Sequence, residues 1–203
     1  AAAPMVARQA LAPSGGEQGG FHRRATSDSL VLSGPNQAVA TRRGVPRGVA
    51  IGRTACPHDG LAGGWGFSVV VRGADAEHFP SGLWVGLTAT SPGVLAARHA
   101  RGAAVDFAAD VPDSCAVGGA GVLWDGLECL EAGWSTGHLA EGDEVTVFLS
   151  EHGEFRVCLN GKVAVSVPQV HVPLRGSLYP LVELHGATQA VELLAPAAPP
   201  ARR

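Results

Sequence analysis

The chain is short of residues that most proteins use freely. Among 203 residues there is one lysine, Lys162, one isoleucine, Ile51, one tyrosine and one methionine. Ala, Gly, Pro, Arg and Val take their places, a bias of the coding sequence that makes alanine a poor guide to helix. A charge of one sign is also missing. Lys plus Arg number 15 against 18 Asp plus Glu, a net charge of −3, which leaves no bulk field to draw nucleic acid or an anionic membrane. No apolar run approaches the ~18 residues a membrane helix requires. The four cysteines, at 56, 115, 129 and 158, form no Cys-x-x-Cys pair. That excludes close-paired zinc ligands and a dense disulfide scaffold, and predicts buried or half-buried free thiols in a reducing compartment. Cys56-Pro57-His58 sets one thiol near one imidazole, too little for a metal site. No cofactor and no metal are expected.

Catalytic signatures are absent too. There is no Gly-x-Ser-x-Gly elbow, and the eight histidines never fall in a His-x-x-x-His or His-Glu-x-x-His arrangement. The glycine-rich "GGAGVLWDG" (118–126) lacks the Lys-Ser/Thr ending of a phosphate loop and reads as a β-turn connection. The expectation is a protein that is not an enzyme.

What the chain does have is short β-like runs punctuated by glycine and proline. They are 29–33, 38–42, 49–52, 66–72, 83–89, 145–150, 155–159, 163–167, 178–184 and 190–194. Ten such runs with almost no helical periodicity predict an all-β antiparallel β-sandwich in one domain. "SPGVLAARHA" (91–100) allows one or two helical turns within a loop. Residues 1–20, rich in Ala, Gly, Pro, Ser and Gln, and 196–203 read as flexible tails around a domain at 21–195. The start at Ala1 rather than Met fits a piece of a longer chain, and the first twenty residues lack a signal-peptide core. A cytoplasmic setting is expected.

"HGEFRVCLNGKVAVSV" (152–167) illustrates the pattern. Asn160-Gly161 suits the two positive-φ positions of a type I′ turn, so the segment predicts a β-hairpin. Phe155, Val157 and Leu159 would share one face, with Arg156 and Cys158 on the other. Asp143 in "EGDEV" is expected to cap or close the preceding turn.

Four blocks, in order, resemble the neuralized homology repeat (NHR) domain of the neuralized family. "FHRRATSDSLVLS…AVATRR…GVAIGRTACP" resembles its opening, and "GFSVVV…FPSGLWVGLTATSP" its central signature. "LAEGDEVTVFLSEHGEFRVCLNGK" resembles its Gly-Asp strand and Asn-Gly hairpin, and "SLYPLVELHGATQAVEL" its closing segment. "CAVGGAGVLWDGLECLEAGW" (115–134) looks most like the repeats of neuralized-like proteins. The resemblance covers residues 21–195. It implies a sandwich related to SPRY domains and a non-catalytic protein–protein interaction module, a substrate-recognition or adaptor domain associated with ubiquitin ligases. Ubiquitin transfer would need a separate RING domain, whose paired zinc sites four isolated cysteines do not provide. The chain departs from the family pattern at Phe79-Pro80, at Cys115 and Glu183, which replace Trp and Asp, and at the less aromatic Ala50-Ile51-Gly52.

One residue breaks the local alternation. In "SGLWVGLT", Leu83, Val85 and Leu87 read as the core side, which puts Trp84 outward with Gly86 and Thr88. An outward tryptophan marks a candidate contact surface, since tryptophan is enriched at interface hot spots. The alternative is that a loop or the 91–101 segment folds over it. Phe79, Trp65, Trp124 and Trp134 are further partner-binding candidates, with core packing the ordinary alternative. The partner is expected to be a protein, with no nucleic acid and no membrane span; self-association stays open. A second function class is a lectin-like sandwich that holds a glycan or small ligand against such aromatics.

Overall fold

The structure is a computed structural model that describes residues 19–44, 47–59, 63–75 and 81–194. The expected tails at 1–20 and 196–203 lie outside these residues, apart from Gly19 and Gly20. Gly20 already packs into the domain. A Cβ there would stand 1.9 Å from the Asn36 carbonyl oxygen.

Fourteen strands among the described residues form two antiparallel sheets. The first runs β1 (Leu30–Ser33), β2 (Val39–Arg42), β14 (Thr188–Leu193), β5 (Gly64–Ala74), β10 (Glu144–Ser150), β11 (Phe155–Leu159) and β12 (Lys162–Val167). The two-residue β4 (His58–Asp59) pairs with the start of β5. The second runs β3 (Gly48–Ile51), β13 (Tyr179–Leu184), β6 (Trp84–Thr88), β7 (Ser114–Gly118), β8 (Ala120–Trp124) and β9 (Cys129–Ser135). The ten expected runs all fall on or across observed strands. The expected connection at 118–126 does not survive as such: β8 runs through it, and β7, β8 and β9 form a meander. Its glycines hid the strands from a reading based on β-branched content.

Period-two alternation fills the space between the sheets. Phe67, Val69 and Val71 of β5, Val145, Val147 and Leu149 of β10, and Val85 and Leu87 of β6 point inward, each at most 4% exposed. Burying a side chain of this size contributes about 1.5–3 kcal/mol. Cys115 lies fully buried in the same core.

The outer face of the second sheet carries another apolar layer. Val49, Ile51, Ala116 and Leu181 point away from the main core and are buried under Leu95, Ala108 and Val111. Leu95 belongs to helix α1 (Pro92–His99), the short helix expected from the Ser-Pro-Gly start. Ser91 is its N-cap, with Pro92 in the first turn where no intrahelical donor is needed.

Local turn chemistry fixes the rest. Asn160 (φ 51°) and Gly161 (φ 78°) form the expected turn between β11 and β12. Asp143 closes the turn before β10. Its Oδ2 accepts the Ala140 N–H at 2.8 Å and its Oδ1 accepts from Asn160 Nδ2 at 2.8 Å. At the β8–β9 turn, Asp125 Oδ1 accepts the Leu127 and Glu128 N–H groups, both at 2.9 Å, and Oδ2 lies 2.8 Å from His171 Nδ1. Burial opposes the Asp125 charge, but these donors together hold its carboxyl below the usual range.

Candidate functional site

Register places the singled-out tryptophan beside an unusual carboxylate. Trp84 pairs with Glu183 of β13 on one side and with Gly118 of β7 on the other. Its ring lies across the β7–β8 connection, where side chains are missing. A Cβ on Gly118 would meet the Trp84 Cγ at 2.8 Å, and one on Gly119 the ring nitrogen at 3.0 Å. Gly119 also has φ +58°, so glycine there serves both the turn and the ring. The 91–111 segment covers the middle of this face, and Trp84 packs half-buried at its edge. Both readings of the residue thus hold a share: the helix does fold over the face, and part of the indole still meets solvent.

Glu183 is 2% exposed and points outward into the second apolar layer. Its Oε2 accepts the Ala108 N–H at 2.7 Å. Its Oε1 makes no hydrogen bond and has Arg47 Nη1 at 3.6 Å. Burial pushes this carboxyl up to about 7; the Ala108 N–H and Arg47 pull it back, while Asp110 and Asp106 push it further.

Arg47 links the carboxylate to the surface. Its guanidinium lies 4.3 Å from the centre of the Phe107 ring, which is 44% exposed. Arg47 Nη2 stands 3.3 Å from His185 Nε2, and His185 Nδ1 stands 3.3 Å from Ser81 Oγ. With Arg47 as donor, Nε2 accepts, so the proton sits on Nδ1 and is offered to Ser81. Burial first, then Arg47 and Arg42, lower the His185 pKa. This geometry opposes hydrolase chemistry. A histidine that activates serine has its far nitrogen held by a carboxylate, whereas here that nitrogen faces a cation.

The other tryptophans divide. Trp124 pairs with Ala116, so by register it shares the outer face with Trp84 and is half-buried. Trp65 points into the main core at 8% exposure, edge-on to His58 at 4.9 Å. Trp134 is half-buried against that same core. Phe79 lies outside the described residues. The sequence reading did not single out Arg47, Phe107 or His185, which sit on irregular segments or strand ends with no periodic signal. Glu183 offered one: a charge inside the apolar run "YPLVEL".

The thiols are quiet. Cys56, Cys115 and Cys158 are buried, and burial raises the pKa of each, Cys115 to about 12. Cys129 on β9 is exposed. Among the described residues no cluster of His, Cys, Asp and Glu could hold a metal ion.

The family model described as Neuralized matches residues 21–195. Two solved structures share the fold, one of the NHR domain in Neuralized from Drosophila melanogaster and one of the Neuralized NHR1 domain from the same organism. The solution structure superposes with TM-score 0.63 at 14% identity, covering 92% of this chain and 96% of that one. The crystal structure gives TM-score 0.64 at 13% identity, covering 87% and 98%. The SPRY domain of human HERC1 follows the same fold, with TM-score 0.56 at 15% identity over 89% of this chain and 100% of that one. No curated protein sequence matches the chain. The expected SPRY-like antiparallel sandwich is the observed architecture.

Proposed function

Because the chain belongs to the Neuralized family, we propose that it selects protein partners at the outer rim of its second sheet, as an adaptor in a cytoplasmic ubiquitin-ligation pathway. Domains of the NHR and SPRY-like kind are typically protein-interaction modules. The observation that carries the choice of surface is Trp84, half-open on a rigid strand beside the Arg47–Phe107 stack. Aromatic side chains and arginine dominate interface hot spots, and Trp84 is carried on strand β6, which lowers the ordering cost at binding. Trp124 extends the same face by register. Ubiquitin transfer itself falls to a separate catalytic module, with this domain choosing what is presented to it.

The test is affinity capture from cytosolic extract with wild type beside Trp84→Ala and Phe107→Ala, followed by mass spectrometry. Each variant is first confirmed folded by its far-UV spectrum. The proposal expects a set of ligase components or ubiquitylated proteins bound by wild type and depleted from both variants. Equal recovery by folded variants would move the docking surface elsewhere, and a set without ubiquitin-pathway proteins would remove the adaptor assignment.

A further inference from the structure

A second surface lies on the far side of α1, where the helix runs alongside the turn at Arg23–Ala25. An open cavity of about 720 Å³ separates them. Gly93, Ala96, Ala97 and Ala100 line one wall. Their spacing of three, four and seven residues puts them on one helix face, and their small side chains keep the groove open. His22, Arg23, Arg24 and Arg53 line the opposite side.

The walls differ in chemistry, and together they define a ligand. Arg53 is held in place: its Nη2 donates to Gln37 Oε1 at 3.0 Å. Among the described residues, neither Arg23 nor Arg24 forms an ion pair with a carboxylate. Three guanidiniums therefore line a groove with no acidic lining residue, on a molecule whose net charge is −3. The helix adds no negative charge, since its charged residues are Arg98 and His99. The acid nearest in sequence, Asp28, lies 3.5 Å from His99 Nε2 and lines a neighbouring polar cleft instead.

We infer that this groove docks an acidic peptide segment of a protein partner, with carboxylates on Arg23, Arg24 and Arg53 and small apolar side chains against the α1 alanines. Arginine suits the role because its planar fork meets a carboxylate with two parallel hydrogen bonds. The apolar wall and the lack of a Phe, Tyr or Trp among the lining residues disfavour single-stranded nucleic acid, which needs stacking platforms. The chain's own ends do not supply the ligand. Residues 1–18 carry Glu17 against Arg8, and residues 195–203 carry Arg202 and Arg203.

The test uses the full chain and fluorescent peptides read by anisotropy. One alternates Glu or Asp with Ala and Leu; its control replaces every acid with Gln or Asn. A single-stranded oligonucleotide is the third probe. Three variants accompany wild type: the double variant Arg23→Glu/Arg24→Glu, Arg53→Gln, and Ala97→Trp, which fills the groove without changing charge. The expected result is acidic-peptide binding at least tenfold tighter than the neutral control, lost by tenfold or more in the double variant and in Ala97→Trp, and weakened several-fold by Arg53→Gln. Comparable binding of the neutral peptide would overturn the proposal. So would tighter binding of the oligonucleotide, or full binding by a folded Ala97→Trp variant, which would reveal a diffuse cationic surface rather than a groove. The assay reads this groove alone, so its failure leaves the proposal for the Trp84 rim standing.

Discussion

Trp84 and Phe148 stand in similar places on opposite sides of the sandwich. Each faces outward from its strand, and each lies over glycines of a neighbouring strand. Trp84 sits on Gly118 and Gly119. Phe148 of β10 sits on Gly64 and Gly66 of β5, where a Cβ on Gly64 would come within 2.7 Å of the ring. The outcomes differ. Phe148 is 5% exposed, closed over by its surroundings, while Trp84 stays half-buried. An outward aromatic is therefore not a docking residue by virtue of its orientation. Glycines can make a hollow deep enough to turn such a residue into packing, as cross-strand aromatic pairs do elsewhere in sheets. What distinguishes Trp84 is its company: a buried carboxylate, a guanidinium and an exposed ring within one neighbourhood.

The largest effect is expected at Phe148. Phe148→Ala is expected to cost roughly 3 kcal/mol, read by urea unfolding, because it empties a closed site. Partner binding by the remaining folded protein should not change. A cost below about 1 kcal/mol would mean that the glycine hollow collapses freely and that the ring is not held there.

The next largest effect concerns the carboxylate beside Trp84. Folding raises the Glu183 pKa from an ordinary 4.5 to about 7, so between those values the folded state holds a proton that the unfolded state has released. Wild-type stability is therefore expected to fall as pH rises through this window, by roughly 1–3 kcal/mol relative to Glu183→Gln. Unfolding midpoints at pH 5 and pH 8 check this. Parallel curves for the two proteins would show that Glu183 is ionised throughout, with Arg47 outweighing burial.

Trp84→Ala sharpens the contrast with Phe148. A half-buried ring on a glycine bed should cost only about 1–2 kcal/mol in stability, less than Phe148, while carrying the larger loss in partner binding. Unfolding at one pH beside a binding titration reads both. The smallest effect is at the thiols. In the native protein a thiol reagent should modify Cys129 quickly and leave Cys56, Cys115 and Cys158 untouched, with Cys129→Ser changing stability by less than about 0.5 kcal/mol. Rapid modification of a second cysteine would show that the core opens more readily than the packing implies.

Much of the scaffold was legible because its signals are local. Period-two alternation gave the inward residues of β6 and β11, Asn160-Gly161 gave the hairpin, and Asp143 gave the turn it closes. The β7–β9 meander was missed because its strands contain Gly118, Gly121 and Gly133, which read as connection. Of the candidate site, Trp84 was legible through broken alternation and Trp124 as an aromatic candidate, and Glu183 offered a signal as a charge inside an apolar run. Arg47 and Phe107 meet across about sixty residues of chain, on segments without periodic pattern, so nothing local in the sequence announces the stack. The groove beside α1 escaped for a similar reason. "FHRR" and "GVLAARHA" are each ordinary, and only the packing of one against the other makes a basic channel with an apolar wall.

The proposed docking role separates Trp84, which would contact a partner, from Phe148, which packs. Its most direct test is the affinity of one captured partner for wild type, Trp84→Ala and Phe148→Ala, measured by titration calorimetry at a temperature where all three are folded. At least a tenfold loss is expected for Trp84→Ala and no more than a twofold change for Phe148→Ala. An unchanged affinity for Trp84→Ala, or an equal loss for both, would contradict it.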